Sequence, residues 1–302
     1  MSYAPRGSFS CRAYAKINLT LEILGKRPDG YHEIVTMMHT VELHDTLTFR
    51  LDREVNLASD NPEMTAPDNL ILRAARELQT QTDVHLGADI HLEKRIPMAS
   101  GLGGGSSDAA CALRTLNKLW KLDLTTERLS EIGAHIGSDV PFFFYGGAAL
   151  AEGRGEIITP LPSTLRRHVL LVCPRVQMAD KTRVLYSKVR QENYSDGSPT
   201  RLVVEDLRRG RPVNVDRLVN VFLPIMLNAS PVLRLCYERM SDLGLKPTLS
   251  GAGPTLFAFV NDESEAQRIK ESLGDLDADI FITYTKDPIS AEEVLANDAQ
   301  SD

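Results

Sequence analysis

Close cysteine pairs are missing from this sequence. Its 302 residues include four cysteines, and no two of them are spaced as CxxC. Zinc ribbons and dithiol redox sites require such pairs, so the spacing argues against both, and against a disulfide scaffold. We expect four separate thiols that pack in the interior of a protein from a reducing compartment: Cys11, Cys111, Cys173 and Cys236.

Long apolar runs are also missing. The best candidate, residues 140–151, is well short of the ~20 residues that a membrane-spanning helix needs, and it contains Pro141 and two glycines. The N-terminal residues MSYAPRGSF lack the apolar centre of a secretory signal. We therefore predict no membrane partner and a cytoplasmic location.

Several common catalytic motifs are absent as well. The sequence contains no GxxxxGK[ST] loop, and the best candidate for GxGxxG has Ser106 where the third glycine should stand. The absence of HExxH argues against zinc hydrolysis. The absence of GxSxG argues against an α/β-hydrolase.

The composition is that of an acidic globular chain. Apolar residues make up 42% and charged residues 25%, which are not the values of a disordered chain. The formal net charge is −7, so we expect no nucleic acid partner, and an anionic ligand would need locally concentrated positive charge. Candidates for that charge are Lys94, Arg95 and Lys181. The length favours two domains, which we place at residues 1–160 and 161–302.

Alternating apolar and polar residues predict the first strand, from Phe9 to Leu24. Lys16 and Asn18 fall on its polar face. Similar patterns predict strands near 41–51, 84–92, 168–173, 255–260 and 279–285, and helices after Asp68, after 101–108, and over 129–136, 215–226, 231–243 and 263–273. Residues 191–212 are predicted to form a polar loop with a short helix, and the acidic tail from Ser290 is predicted to fray.

The strongest chemical feature is a glycine-rich segment that leads into a predicted helix. Residues 97–108 read PMASGLGGGSSD. Glycines let backbone N–H groups turn toward a ligand, and a helix N-terminus adds unpaired donors and partial positive charge. These properties favour a phosphate-binding loop over a simple turn or a helix-packing kink. Ser106 and Ser107 add hydroxyl groups for a phosphate oxygen or a metal ion.

Three weaker features each allow two interpretations. Residues 249–255, LSGAGPT, are either a second wall of a phosphate site or an ordinary helix-to-strand turn. Asp139, which lies between Gly137-Ser138 and an apolar run, is either a general base or metal ligand, or a carboxylate that caps a helix. Lys16 is either functional or, like most lysines in strands, solvated.

Taken together, these segments resemble the three ordered motifs of the GHMP kinase superfamily. The motifs correspond here to AKIN at 15–18 and to residues 97–108 and 249–255, so the resemblance covers nearly the whole chain. Two further segments, DGYH at 29–32 and GSDVPF at 137–142, are similar to those of superfamily members that act on a cytidine diphosphate-linked methylerythritol in the non-mevalonate isoprenoid pathway.

The resemblance implies a fold and a reaction. The fold would be α+β, with an N-terminal ATP-binding domain like the second domain of ribosomal protein S5 and a ferredoxin-like C-terminal domain. The reaction would be ATP-dependent phosphorylation of the 2-hydroxyl group of the small-molecule substrate, with Mg²⁺ bridging phosphate oxygens. Lys16 and Asp139 match the catalytic pair of the family.

The resemblance also implies binding residues. ATP would contact Lys94, Pro97, Met98, Ala99, Ser100, Gly101, Leu102, Gly103, Gly104, Gly105, Ser106 and Ser107. The cytidine diphosphate-linked substrate would contact Asn18, Tyr31, His32, Thr182 and Tyr186. The chain departs from the family pattern at Ser100, often a glycine, and at Tyr186, often a phenylalanine. The metal ligands and the oligomeric state carry no prediction.

Two alternatives stay open at the level of sequence. Another kinase of the superfamily, acting on homoserine or a mevalonate-type alcohol, would have no use for the base-reading pair Tyr31 and His32. A non-catalytic nucleotide-binding regulator with the same fold would have no reason to keep both Lys16 and Asp139.

Overall fold

Two β-sheets organise the chain, one in each half. The computed structural model describes residues 8–162, 166–176, 181–288 and 294–297. The first half forms one sheet, to which a strand at residues 294–297 is added, and the second half forms the other sheet. Helices pack against both sheets, so the architecture is α+β, as predicted.

The elements are numbered in chain order. The strands are β1 (Ser8–Lys26), β2 (His32–Asp52), β3 (Val55–Ser59), β4 (Gly87–Glu93), β5 (Ala148–Gly153), β6 (Ile157–Leu161), β7 (His168–Pro174), β8 (Thr248–Leu249), β9 (Leu256–Val260), β10 (Ala278–Tyr284) and β11 (Val294–Asn297). The helices are α1 (Leu70–Thr82), α2 (Gly104–Leu119), α3 (Thr126–Ile136), α4 (Phe142–Tyr145), α5 (Lys181–Lys188), α6 (Ser198–Arg208), α7 (Leu223–Ala229), α8 (Pro231–Asp242) and α9 (Glu263–Ser272). Three short 3₁₀ turns lie at Pro62–Thr65, Gln191–Asn193 and Val215–Arg217.

Strand β2 is the centre of the first sheet. The strand order of this sheet is β11-β1-β2-β4-β3, with β5 also on β2 and β6 on β5, and that of the second sheet is β10-β7-β9-β8. It runs antiparallel to β1 over the length of both strands. Its other edge is shared, because β5 pairs with its first part and β4 with its last part. Strand β11 pairs antiparallel with β1, so part of the tail predicted to fray instead completes the sheet edge.

Register shifts flank the polar residues of β1. The pairing with β2 slips between Tyr14 and Ala15 and again between Asn18 and Thr20. Bulges of this kind re-aim side chains and occur often next to functional sites. The strand itself continues through both irregularities.

One apolar core joins the two halves. It packs Ile17 of β1 and Met37 of β2 against Leu171 of β7 and Phe257 of β9, all of them fully buried. Burial of apolar surface favours association of the elements that contribute it. The two sheets are therefore held against each other by side chains of both.

One element prediction is wrong in the second half. The predicted helix 215–226 is interrupted, because residues 219–221 run beside Leu21 of β1, with backbone hydrogen bonds from Leu21 to Val219 (2.8 Å) and from Val221 to Leu21 (3.0 Å). Residues 191–212 contain the predicted short helix, which is α6, after the 3₁₀ turn at Gln191–Asn193.

The cysteine prediction is also partly wrong. Cys11 of β1 and Cys111 of α2 are paired as a disulfide, with Cα atoms 6.3 Å apart, whereas Cys173 and Cys236 are free and buried. The pairing depends on the packing of α2 on β1, which the spacing of the cysteines along the chain does not reveal. No helix in the described part of the chain is long and apolar enough to cross a membrane.

Candidate functional site

Two cavities meet at the glycine-rich segment 97–108. The large cavity, of about 1180 Å³, lies between the two halves of the chain. The small cavity, of about 430 Å³, lies between that segment, the 3₁₀ turn at Pro62–Thr65 and the start of α1. Ala99, Gly101 and Gly103 line both cavities, so ligands in the two would meet at this segment.

The glycine-rich segment ends in an open helix N-terminus. Helix α2 begins at Gly104 after Gly103, whose φ is +72°, and no side chain caps it. Gly101 also has a positive φ, of +85°. Residues that carry a side chain rarely adopt such positive φ angles, which favour glycine. Uncapped N–H groups at a helix N-terminus attract anions. This geometry suits a bound phosphate.

The second glycine cluster, residues 249–255, packs directly against the first. A Cβ atom on Gly101 would lie 2.3 Å from the carbonyl oxygen of Ser250, so only glycine fits at this crossing. The Ser250 hydroxyl donates to the carbonyl oxygen of Gly101 at 3.0 Å, and Thr255 N donates to that of Ser100 at 3.1 Å. Residues 249–255 therefore form a second wall of the site.

Lys16 of β1 lies next to both glycine-rich segments. Its backbone N–H donates to the carbonyl oxygen of Leu102 at 2.9 Å, which ties β1 to the glycine-rich segment. Its ammonium group donates to Asn18 Oδ1 at 2.5 Å, and Asn18 Nδ2 donates in turn to Thr36 Oγ1 at 2.8 Å. Lys16 and Asn18 are each 3% exposed, so the polar face of β1 faces the large cavity, not bulk solvent.

Asp139 forms an ion pair with Lys16 at the wall of the large cavity. It lies in the turn between α3 and α4, where Val140 N donates to the carbonyl oxygen of Gly137 at 3.1 Å. The buried side chains of Val140 and Phe142 fix the end of this turn. Asp139 Oδ2 is 3.4 Å from Lys16 Nζ, and 40% of the carboxylate side chain stays accessible. Such a carboxylate can accept a proton from a ligand in the cavity.

Aromatic rings line the other end of the large cavity. The rings of His32 and Tyr186 are 5.2 Å apart, and Tyr186 also contacts buried Phe222 edge-on at 4.9 Å. Partial burial, and secondarily the charge of Lys26, lowers the pKa of His32, which favours the neutral form of its ring. Tyr31 is 57% exposed, and the guanidinium group of Arg154 lies 5.0 Å from its ring centre. A planar, neutral ring could stack here.

The large cavity is strongly cationic. Among the described residues that line it are six lysines and arginines, against one acidic residue, Asp139; the basic residues are Lys16, Lys26, Arg154, Lys181, Arg183 and Arg190. This concentration of positive charge opposes the net charge of the protein. A ligand with more than one negative charge is therefore favoured.

Lys94 lies under the glycine-rich segment with its charge already paired. Its ammonium group donates to Asp45 and, at 2.9 Å, to Asp108 Oδ2. Burial alone would lower the pKa of Lys94, but these carboxylates raise it above its ordinary value. Burial, together with nearby Asp45, raises the pKa of Asp108. One ammonium group thus faces two buried carboxylates, and burial favours the protonated form of Asp108.

Most of the predicted site residues come together. Lys16, Asn18, Tyr31, His32, Asp139, Thr182 and Tyr186 all line the large cavity. Of the residues predicted to bind ATP, all but Leu102 and Ser107 line the small cavity. Leu102 and Ser107 are buried beside it, at 0% and 3% exposure.

Sequence reasoning missed several lining residues. Arg154 and Tyr194 line the large cavity, and Met64 and Asn69 line the small one. Asn69 had a local signal, because it is the N-cap of α1 and accepts from Ile71 N at 2.8 Å, where the sequence indicated Asp68. The other three have no distinctive sequence neighbours.

Comparison with known proteins gives matches over most of the chain. The family model described as GHMP kinases N terminal domain matches residues 69–147, and the one described as GHMP kinases C terminal matches residues 203–277. A crystal structure of 4-(cytidine 5'-diphospho)-2C-methyl-D-erythritol kinase is similar with a TM-score of 0.78 and 31% identity, over 91% of this chain and 98% of that one.

Two relatives have the same kind of name. A 4-diphosphocytidyl-2-C-methyl-D-erythritol kinase of Dehalococcoides mccartyi is 37% identical over 279 residues, which are 92% of this chain and 98% of the relative. The protein of that name from Geobacillus kaustophilus is 41% identical over 270 residues, 87% of this chain and 92% of the relative.

Proposed function

This chain belongs to the GHMP kinase family, and on that premise we propose that it transfers the γ-phosphoryl group of ATP to the 2-hydroxyl group of 4-diphosphocytidyl-2-C-methyl-D-erythritol. The observation that carries the proposal is the set of side chains that line the large cavity. It has a lysine–carboxylate pair beside the phosphate-binding segment and an aromatic, histidine-containing end away from it.

The small cavity fits the nucleoside of ATP. Its apolar side chains include Met64, Leu70 and Met98, and it opens onto the uncapped N-terminus of α2. An adenosine placed there would direct its phosphates along the glycine-rich segment toward Lys16. The chain therefore offers separate sites for donor and acceptor that meet where transfer would occur.

The cytidine end of the substrate fits the aromatic end of the large cavity. Neutral His32 has one ring N–H donor and one acceptor, which can pair with the edge of cytosine. Tyr186 and Tyr31 offer faces for stacking, and Lys26, Arg154 and Arg190 offer positive charge for a diphosphate. A homoserine or mevalonate-type substrate would leave these groups without partners.

The chemistry needs positioning and charge stabilisation more than covalent catalysis. Asp139 would accept the proton of the substrate hydroxyl and orient its oxygen toward the γ-phosphorus. Lys16, held by Asn18, would place its ammonium group against the phosphoryl oxygens. The N–H groups at the start of α2 would stabilise the negative charge on the departing ADP.

The oxygen-bearing side chains near the place where the two cavities meet fit Mg²⁺. No cluster of three or more metal-ligating side chains occurs in the described residues. Mg²⁺ does not require one, since it keeps several waters and commonly binds one or two carboxylates together with substrate phosphates. Ser106, whose hydroxyl lies beside Gly137 and lines the small cavity, would hold it together with the phosphates, which leaves Asp139 free to act as the base. The ion would supply charge neutralisation of the phosphates.

Phosphorus NMR tests the proposal. ATP and the cytidylyl methylerythritol substrate are incubated with Mg²⁺, with and without the protein, and the spectra are followed over time. We expect ADP signals and a new phosphomonoester signal only with the protein. Parallel reactions with homoserine and mevalonate are the controls. Phosphorylation of either alcohol in place of the cytidylyl substrate, or ATP binding without turnover, would overturn the assignment.

A further inference from the structure

Lys181 connects the two glycine-rich walls of the site from the opposite half of the chain. It is the first residue of α5, and its ammonium group donates to the carbonyl oxygens of Ala99 and Gly253. Ala99 belongs to the segment 97–108 and Gly253 to the segment 249–255. Lys181 also lines the large cavity, so its charge lies where the two walls meet.

The charge of Lys181 is not neutralised locally. In the described part of the chain, no acidic side chain forms an ion pair with it, and both of its partners are uncharged carbonyl groups. Burial, and secondarily the charge of Lys16, lowers its pKa to about 8. Partial burial beside a like charge costs free energy, which an anion bound between the two cations would offset.

An ammonium group has three N–H donors, and the two carbonyl groups use two of them. One donor remains for a ligand in the large cavity. A phosphoryl group in transfer spreads negative charge over three oxygens, so it can accept from several donors at once. Lys16 and Lys181 would then bind the same group from two sides.

We propose that Lys181 is a further catalytic residue, whose ammonium group binds the γ-phosphoryl oxygens during transfer; the role rests on the proposed function. The bond from the acceptor oxygen to the γ-phosphorus forms while the bond to the β–γ bridging oxygen breaks. ADP departs with the electron pair of the broken bond, and the hydroxyl proton goes to Asp139. Lys181 transfers no proton and stays charged throughout.

If Lys181 only held the two segments together, its charge would not matter. The two hydrogen bonds to Ala99 and Gly253 need donors but no charge, so a neutral amide could replace them. The Lys181→Gln variant keeps donors for these carbonyl groups and removes the charge. Lys181→Arg keeps both. Lys188→Met is the matched control, because it removes one charge from the exposed end of the same helix.

The first measurement compares kcat, thermal midpoint and nucleotide affinity. For Lys181→Gln we expect kcat to fall by about 10²–10³-fold, the loss typical of one transition-state donor. ATP affinity should fall while AMP affinity and the midpoint stay near wild type. Lys188→Met should match wild type in all four quantities. Unchanged kcat in Lys181→Gln overturns the proposal, and so does an equal loss of ATP and AMP affinity with a lowered midpoint.

The second measurement is the pH profile, which remains informative if the glutamine variant does not fold. Wild-type kcat/KM should fall as pH rises through about 8, where Lys181 loses its proton, and Lys181→Arg should keep its activity there. The other titratable and charged groups that line the cavity with Lys181 are Lys16, Lys26, Tyr31, His32, Asp139, Arg154, Arg183, Tyr186, Arg190 and Tyr194. An alkaline decline that persists unchanged in Lys181→Arg overturns the proposal.

The two proposals fail separately. The ATP and AMP affinities require no acceptor alcohol, so they test Lys181 whatever the substrate is. If the wild type phosphorylates a different alcohol, the substrate assignment is wrong while the comparison of Lys181→Gln with Lys188→Met stays valid.

Discussion

The Nζ atom of Lys16 lies 3.4 Å from the Oδ2 atom of Asp139, with 4% of the lysine side chain and 40% of the aspartate side chain accessible. The pair is therefore asymmetric. The ammonium group is fixed in the interior by Asn18, while the carboxylate stays open to a ligand in the large cavity. This arrangement suits a stationary positive charge beside a group that exchanges a proton.

Asp139→Asn should lower kcat strongly and leave ATP affinity near wild type. The amide keeps the shape of the side chain but cannot accept the proton, and loss of a general base typically costs about 10²–10⁴-fold. Asp139 lines the large cavity and not the small one, so the nucleoside site is untouched. Steady-state kinetics and ATP titration measure both effects. A kcat close to wild type would remove Asp139 from the catalytic role.

Gly104→Val should weaken ATP binding and destabilise the fold by about 1–3 kcal/mol, the usual cost of overpacking. A Cβ atom at Gly104 would lie 2.9 Å from Lys94 Nζ and 3.0 Å from Ile96 Cγ2, so the start of α2 must shift. Gly105→Ala is the control, because its Cβ atom would meet only Leu70, at 3.5 Å. Denaturant titration and ATP binding compare the two. Equal behaviour of both variants would contradict the packing argument.

Tyr186→Ala should weaken binding of the cytidylyl substrate by roughly 5- to 150-fold, the value of one stacked aromatic ring, without changing ATP affinity. The ring lies beside His32 and Phe222 in the large cavity. Burial raises the pKa of Tyr186 to about 12, so the hydroxyl stays neutral. Tyr186→Phe is the control for the hydroxyl group. Binding titrations with substrate and with ATP measure both affinities.

The uridine analogue of the substrate should have a much lower kcat/KM than the cytidine form. Uracil has a carbonyl acceptor where cytosine has an amino donor, so a site built for one leaves polar groups unpaired with the other. His32 is the side chain with the neutral ring that would read this edge. Competition between the two substrates measures the ratio. Equal rates would remove the cytidine assignment and leave the kinase assignment standing.

Lys94→Met should destabilise the protein by about 3–5 kcal/mol, because it leaves buried carboxylates without their cation. Lys94 is 8% exposed, Asp45 0% and Asp108 4%. Replacing Asp108 by Asn in the same chain should recover part of the loss. Guanidinium denaturation of both variants measures it. A small loss in Lys94→Met, with ATP affinity alone reduced, would instead support direct ATP binding by this lysine.

Acid should destabilise the fold through His39. Burial lowers its pKa to about 4, while the unfolded chain has the ordinary value near 6.5. Between these values the unfolded state binds a proton that the folded state does not, so stability falls as pH drops from about 6.5 to about 4, by about 3 kcal/mol. His39→Gln should flatten this part of the pH–stability curve. An equal slope in both proteins would contradict the assignment.

Local patterns predicted the elements that local chemistry controls. The alternation from Phe9 to Leu24 corresponds to β1, and the glycine-rich segment leads into α2, because side-chain period and backbone freedom are properties of neighbouring residues. The same locality explains the error at residues 215–226. A helical pattern is present there, but Asn220 donates its amide to the carbonyl oxygens of Leu249 and Gly251, at 2.7 Å and 2.9 Å, and holds the chain in an extended path.

Sequence motifs therefore determined which residues are candidates for the site. The tertiary structure decided which partners and how much burial each of them has. The resemblance indicated Lys94 as a cation for ATP. In the structure its ammonium group instead donates to the carboxylate of Asp45, which is distant in sequence and belongs to β2. The pattern around Lys181 indicated only positive charge, but the packing of α5 places that charge on both glycine-rich walls. Electrostatic roles depend on distance in space and on burial, and neither quantity is a function of position along the chain.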